Sequence, residues 1–210
     1  MNDIDLRRMS YARVSDIIGI QTASEYKTIP IDVLANACIR GQKIDGYCTA
    51  FAQGLWISDI EEEYQPYFDE FKRWASENVE EFISSKVRLY DDLRRFTGEF
   101  DLIAVLKEGR KNALLDLKVT AKSSKAWGIQ LSAYKHLCIL NGIPVDTVFN
   151  LHLMKTDPPL YESINGEKTL AAPARVKAKV IPHDDDLSHY WDIFDSSLRC
   201  YDYFNRKEAI

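Results

Sequence analysis

The chain predicts an α/β fold, with a central mixed β-sheet flanked by helices and an N-terminal helical section leading into it. Three observations predict it. Apolar residues up to residue 78 recur at helical spacing, most plainly Tyr64, Tyr67, Phe68, Phe71, Trp74 and Ala75. From residue 79 the pattern changes to β-rich runs: VEEFISSKVRLYDD, RRFTGEFDLIAVL and NALLDLKVT. A helical stretch then precedes a further alternating strand, VDTVFNLHLMK. The 210 residues suit one domain over 1–210 with a sizeable core. It reads as mainly helical over 1–78, with the core at 79–156 and a C-terminal strand and helix at 157–210.

Taken in order, residues 10–20, SYARVSDIIGI, predict a short amphipathic helix ended by Gly19, with a loop at 21–29. Pro30 opens a helical stretch, IDVLANACIRGQKIDGYCTAFAQG, bent near Gly41 and ending at Gly54. An acidic helix follows at 61–78, its aromatic stripe facing a core. After the strand at 79–92, Lys107-Glu108-Gly109-Arg110 separates two β-rich runs as the turn of a hairpin. Ser123 or Ser124 caps the helix that stops at Asn141-Gly142, and Pro144 introduces the next strand. Asp157-Pro158-Pro159 and Asn165-Gly166 mark a polar, turn-rich section. ARVKAKVI is the last strand, and Asp184, Asp185 and Asp186 cap the start of a terminal helix.

Composition narrows the function classes. No apolar run approaches the roughly 20 residues that span a bilayer, and the opening MNDIDLRRMS is polar, so a cytoplasmic location is expected. Cys38, Cys48, Cys138 and Cys200 are scattered without a CxxC pair, which predicts reduced, mostly buried thiols. His152, His183 and His189 show no zinc spacing. The net charge of −5 does not advertise a nucleic-acid binder, but its distribution is uneven. Acids crowd residues 60–81, whereas 86–125 carries Lys86, Arg88, Arg94, Arg95, Lys107, Arg110, Lys111, Lys118, Lys122 and Lys125. That run predicts a local basic surface able to meet phosphates.

The chemistry-bearing residues gather between Gly98 and Tyr134. Asp101 and Asp116 fall on the two runs joined by the hairpin turn, so they can lie close enough to share a hard divalent cation. Lys118, two residues beyond Asp116, projects from the same sheet face. Gln130 and Tyr134, four apart, stack on one face of the following helix, where an amide and a phenol can hold a phosphate or a nucleobase. Taken singly, an Asp or Lys in a strand is more often a solvent-facing or edge residue. Order and spacing together carry the reading.

Gly98-x-x-Asp101, Asp116-x-Lys118 and Gln130-x-x-x-Tyr134 resemble the motifs of the PD-(D/E)XK nuclease superfamily, and most of all its RecB-like and phage-type exonuclease branch. The resemblance covers about 40 residues in the core, with a weaker likeness toward the N-terminus. It implies a restriction-endonuclease-like core with the catalytic part at 79–156. It also implies a Mg²⁺- or Mn²⁺-dependent exonuclease that hydrolyses DNA in phage or bacterial recombination, repair or replication, inside a bacterial or phage-infected host cell. Asp101 and Asp116 would hold the metal, with the backbone carbonyl of Leu117 as a third ligand. Lys118 would orient or activate the attacking water, as base or as electrostatic clamp, and Gln130 and Tyr134 would position DNA.

In RGQKIDGY, similar to an RG-T-x-x-H segment of the family, Asp45 stands where the family has His; it is either a replacement ligand or a surface residue. Glu80 or Glu81 would lie near the metal. An iron–sulfur cluster, held in some relatives by a late group of three cysteines, is not expected where only Cys200 lies late. DNA is the implied partner, with a recombination or replication protein and a second copy of the chain as further candidates. The alternative is a nuclease-fold module that binds DNA or protein without cutting, motivated by the missing His and the acidic balance.

Overall fold

A computed structural model of the chain describes residues 6, 8–164 and 167–205. Its elements run β1 (Ala12–Arg13), α1 (Val14–Tyr26), α2 (Ile31–Ala52), α3 (Gln65–Asn78), β2 (Val79–Asp91), β3 (Phe96–Leu106), β4 (Asn112–Lys118) and α4 (Ala126–Leu140). Then come β5 (Thr147–Asp157), β6 (Leu160–Ile164), β7 (Glu167–Ala172), β8 (Arg175–Pro182), a 3₁₀ turn at Asp184–Asp186 and α5 (Leu187–Asn205). The fold class is mixed α/β. Six strands form one mixed sheet in the order β1-β3-β4-β5-β8, with β2 also paired to β3.

The sheet's connections follow from the chain. Gly109 (φ +66°) and Arg110 (φ +49°) form the β3–β4 turn, as the tetrapeptide predicts. α4 carries the chain over the sheet so that β5 returns parallel to β4, with Asp116 beside Asn150. On β4 and β5 alternation divides the side chains between two cores, while on β3 the alternation breaks between Phe100 and Leu102, at Asp101. Phe100, Ile103, Leu114 and Val148 pack under α1, α4 and α5, while Leu102, Leu115, Phe149 and Leu151 pack under α2 and α3.

One feature of the register prepares the site. β2 covers one edge of β3 from Val79↔Leu106 to Asp91↔Phe96. The other edge is therefore shared by β4, at Leu102–Val105, and by β1, at Phe96–Thr97. Gly98 to Asp101 occupy the interval between them, where the sheet opens.

Several boundaries differ from those the sequence predicts. α1 continues through Gly19 to Tyr26, because that glycine keeps an ordinary helical φ and nothing crowds it. α2 runs through Gly41 as one helix and stops at Ala52, just before Gly54, whose φ of +67° turns the chain. α3 starts at Gln65, after a turn in which Tyr64 and Gln65 N–H groups donate to the Glu61 carbonyl and with Pro66 in the first turn. Residues 160–172 hold the β6–β7 hairpin where a turn-rich section was expected; the Asn165-Gly166 turn lies outside the described residues.

Ser124 Oγ accepts from Ala126 N–H at the start of α4. Asp184 does not cap the terminal helix. It accepts from Thr147 Oγ1 (2.5 Å) and Val148 N–H (3.0 Å), clamping the start of β5. All four cysteines are free thiols, but only Cys48 and Cys138 are buried.

Candidate active site

Asp116 is the buried centre of the site. Its neighbours Leu115 and Leu117 face the α2–α3 core, so its own side chain points to the α4 face, where the residue is 3 % exposed. Asp116 Oδ2 accepts from Lys118 Nζ (2.7 Å) and Asn150 Nδ2 (2.7 Å). Lys118 Nζ also donates to Gln130 Oε1 (2.9 Å), and Gln130 Nε2 donates to Tyr134 Oη (2.9 Å). A continuous polar chain thus runs from the acid to the phenol.

Burial pushes the Asp116 carboxyl up to about 6; the Lys118 charge pulls it down and Asp101 pushes it further up. Tyr134 is held well above the ordinary phenol range by burial first and the Asp116 charge second. Gly98 explains its own presence: a Cβ there would lie 2.7 Å from the Tyr134 ring and 2.9 Å from Leu137. Only glycine lets that ring lie against β3.

Asp101 stands where β3 and β4 part. Its Oδ2 accepts from Leu117 N–H (2.8 Å), closing the gap with a side chain where the ladder stops. Its Oδ1 accepts from Lys86 Nζ at 2.6 Å. The same ammonium contacts Asp45 Oδ2 at 2.7 Å. Asp45 comes from α2, so strand β2, strand β3 and helix α2 meet on one lysine. The two carboxylates hold Lys86 well above its ordinary value against the opposing effect of burial. Asp45 is raised, first by burial and then by Asp101, with Lys86 opposing both.

The structure brings Asp45, Asp101, Asp116, Lys118, Gln130 and Tyr134 to one region, joined by these contacts. It does not bring Glu80 or Glu81 there. Glu80 pairs with Arg110 (2.7 Å) at the hairpin end of β2, and Glu81 pairs in register with Val105, several residues from Asp101. The expected basic surface is also reduced. Arg88 is tied to Glu99, Arg94 to Asp91, Arg110 to Glu80 and Lys86 to the two acids.

Whether a hard divalent ion suits these donors can be judged from the atoms. Carboxylate and carbonyl oxygens are the right kind. N–H and C=O of one strand residue point to the same edge, so the Leu117 carbonyl is directed at the gap that Asp101 spans. Asp45 Oδ1 is buried with no hydrogen-bond partner. Among the described residues, however, no three His, Cys, Asp or Glu side chains converge as a ready-made cage. The seat between Asp45 and Asp101 holds a cation already, the Lys86 ammonium. The donor set fits a metal in kind, with Lys86 standing inside it.

Sequence reasoning missed three participants. Lys86 counted there only as part of a basic run. Asn150, buried with its Nδ2 on Asp116, is joined through Oδ1 to His183 Nε2 at 2.7 Å. The signal for Asn150 was an amide inside the apolar strand TVFNLHL; nothing comparable marks His183.

No family model matches the chain, and no curated protein does. Among solved structures it is similar to a Eubacterium rectale protein that carries the provisional name of an exonuclease. The two are 12 % identical, the match covers 94 % of this chain and 82 % of that one, and the TM-score is 0.51. A phage-related exonuclease from Haemophilus somnus 129PT is matched at 14 % identity over 93 % of this chain and 96 % of that one, with a TM-score of 0.41. The first likeness establishes the fold, a mixed sheet flanked by helices as in that structure.

Proposed function

We propose that the chain is a metal-dependent nuclease, an exonuclease acting on DNA, with Asp101, Asp116 and the Leu117 carbonyl holding Mg²⁺ or Mn²⁺ and Asp45 beside them. One observation carries the reading: a buried carboxylate, Asp116, in contact with a lysine that is itself linked through Gln130 to Tyr134. A purely structural ion pair has no use for that chain, and burying it costs stability unless every partner is satisfied.

A bound metal ion would neutralise charge on the phosphate and lower the pKa of its water. The chain's own residues do the rest. Lys118, held between Asp116 and Gln130, places a positive charge where the phosphodiester oxygens gain negative charge as water adds to phosphorus. Tyr134 and Gln130 line the same wall and orient the strand. Attack forms one P–O bond and breaks another, leaving a phosphomonoester and a hydroxyl.

A second reading, a DNA- or protein-binding module that does not cut, is favoured by one feature: Lys86 fills the seat between Asp45 and Asp101. The deciding experiment uses end-labelled linear and closed circular DNA, single and double stranded, with Mg²⁺, Mn²⁺ or EDTA. Asp116→Ala and Lys118→Ala proteins run beside the wild type. Metal-dependent loss of linear DNA, absent in both variants and sparing circles, is the expected result. Cut circles would make the enzyme an endonuclease. Bound but uncut DNA on every substrate would establish the second reading.

A further inference from the structure

We propose that the Lys86 ammonium is a tethered stand-in for the divalent cation: it occupies the seat between Asp45 and Asp101 and must leave before a metal loads. This rests on the metal-binding reading above and adds to it the group that sets how tightly the site binds.

Four observations converge. Lys86 Nζ lies 2.6 Å from Asp101 Oδ1 and 2.7 Å from Asp45 Oδ2, so one positive charge bridges two carboxylates from different elements. Lys86 stands directly across from Asp101, between the paired Ser85↔Leu102 and Val87↔Phe100. Its backbone has φ +52°, left-handed inside a strand, a conformation that costs an unbranched L-residue on the order of 1 kcal/mol and persists where the surroundings impose it. Finally, Asp45 Oδ1 is buried without a hydrogen-bond partner, so one ammonium does not satisfy both oxygens of that carboxylate. A divalent ion can engage more oxygens at once than the single bridging nitrogen does.

The consequence is competition. Removing the ammonium leaves two carboxylates with uncompensated repulsion, which raises the seat's affinity for any other cation. Lys86 therefore offsets the repulsion between the two acids in the metal-free chain and holds metal affinity down.

The test is Mn²⁺ binding to the full metal-stripped chain, by calorimetry and by the electron paramagnetic resonance of free Mn²⁺, for wild type, Lys86→Met and Asp101→Asn. The proposal expects Lys86→Met to bind Mn²⁺ about tenfold more tightly or better, with Asp101→Asn weakened. Equal or weaker binding by Lys86→Met, with wild type still binding, overturns the proposal and leaves the metal reading standing. No binding by any of the three overturns both. Wild-type crystals soaked in Mn²⁺ give a check that needs no variant to fold. Anomalous density between Asp45 and Asp101 with Lys86 withdrawn supports the proposal; an ion bound while Lys86 still bridges both acids, or no ion at all, overturns it.

Discussion

Asp116 keeps its carboxylate out of water against two strands and a helix, and the cost falls on the metal-free fold. Its folded pKa of about 6 stands above the roughly 4 of an unfolded aspartate. The sign follows: the contribution to stability is fully present below about pH 4 and is lost as pH rises through about 6. In EDTA, the stability of Asp116→Asn relative to the wild type should rise between pH 4 and pH 8, by on the order of 2 kcal/mol. Urea unfolding at both pH values measures it, and a difference independent of pH would refute the argument. The same variant should lose DNA cleavage, since an amide is a poorer ligand than a carboxylate.

Lys118 behaves oppositely. Lys118→Ala leaves Asp116 without its nearest positive charge. It should both destabilise the chain and lower the rate of cleavage by about 10²–10⁴-fold in single-turnover assays. Unchanged cleavage would remove Lys118 from the mechanism.

Between elements, the contact that aligns the site is the face of α4 on β3. Gly98→Ala would put a methyl 2.7 Å from the Tyr134 ring, and ring and strand must part. We expect a loss of about 1–3 kcal/mol in thermal or denaturant melts, with cleavage falling more than Tyr134→Phe alone lowers it. A variant as stable as wild type would show that the ring is free to move. This packing also explains what was legible in the sequence. Asp116 and Lys118 share a strand, and Gln130 and Tyr134 share a helix, so spacing alone fixes their faces. The β3–β4 turn is readable because Gly109 needs a positive φ. Gly19 needs none, and so the extension of α1 was invisible. Lys86 was hidden for another reason. Its position against Asp101 depends on the β2–β3 register, and its reach to Asp45 on the placement of α2, neither of which is a local property. The Asn150–His183 pair likewise forms only once β5 and β8 are adjacent.

At the scale of the molecule, the site ties together both layers of the sandwich. Asp45 comes from α2 on one face, Gln130 and Tyr134 from α4 on the other, and Asp101 and Asp116 from the sheet between them. A ligand joined to the acids therefore stabilises the fold as a unit, by RT ln(1 + [L]/Kd). At a metal concentration about 100 times Kd the gain is about 2.7 kcal/mol, a rise in Tm of about 5–10 °C for a chain of this length. Thermal melts in EDTA and in Mn²⁺ should show that rise in the wild type and little of it in Asp101→Asn. Hydrogen exchange should slow on adding Mn²⁺ around residues 43–47 of α2 as well as around Asp116, as the proposal that the acids on both elements share one ion requires. Equal melting shifts in wild type and Asp101→Asn would mean the metal acts elsewhere. Slowing confined to β4 would mean that Asp45 takes no part and that its pairing with Lys86 belongs to the scaffold.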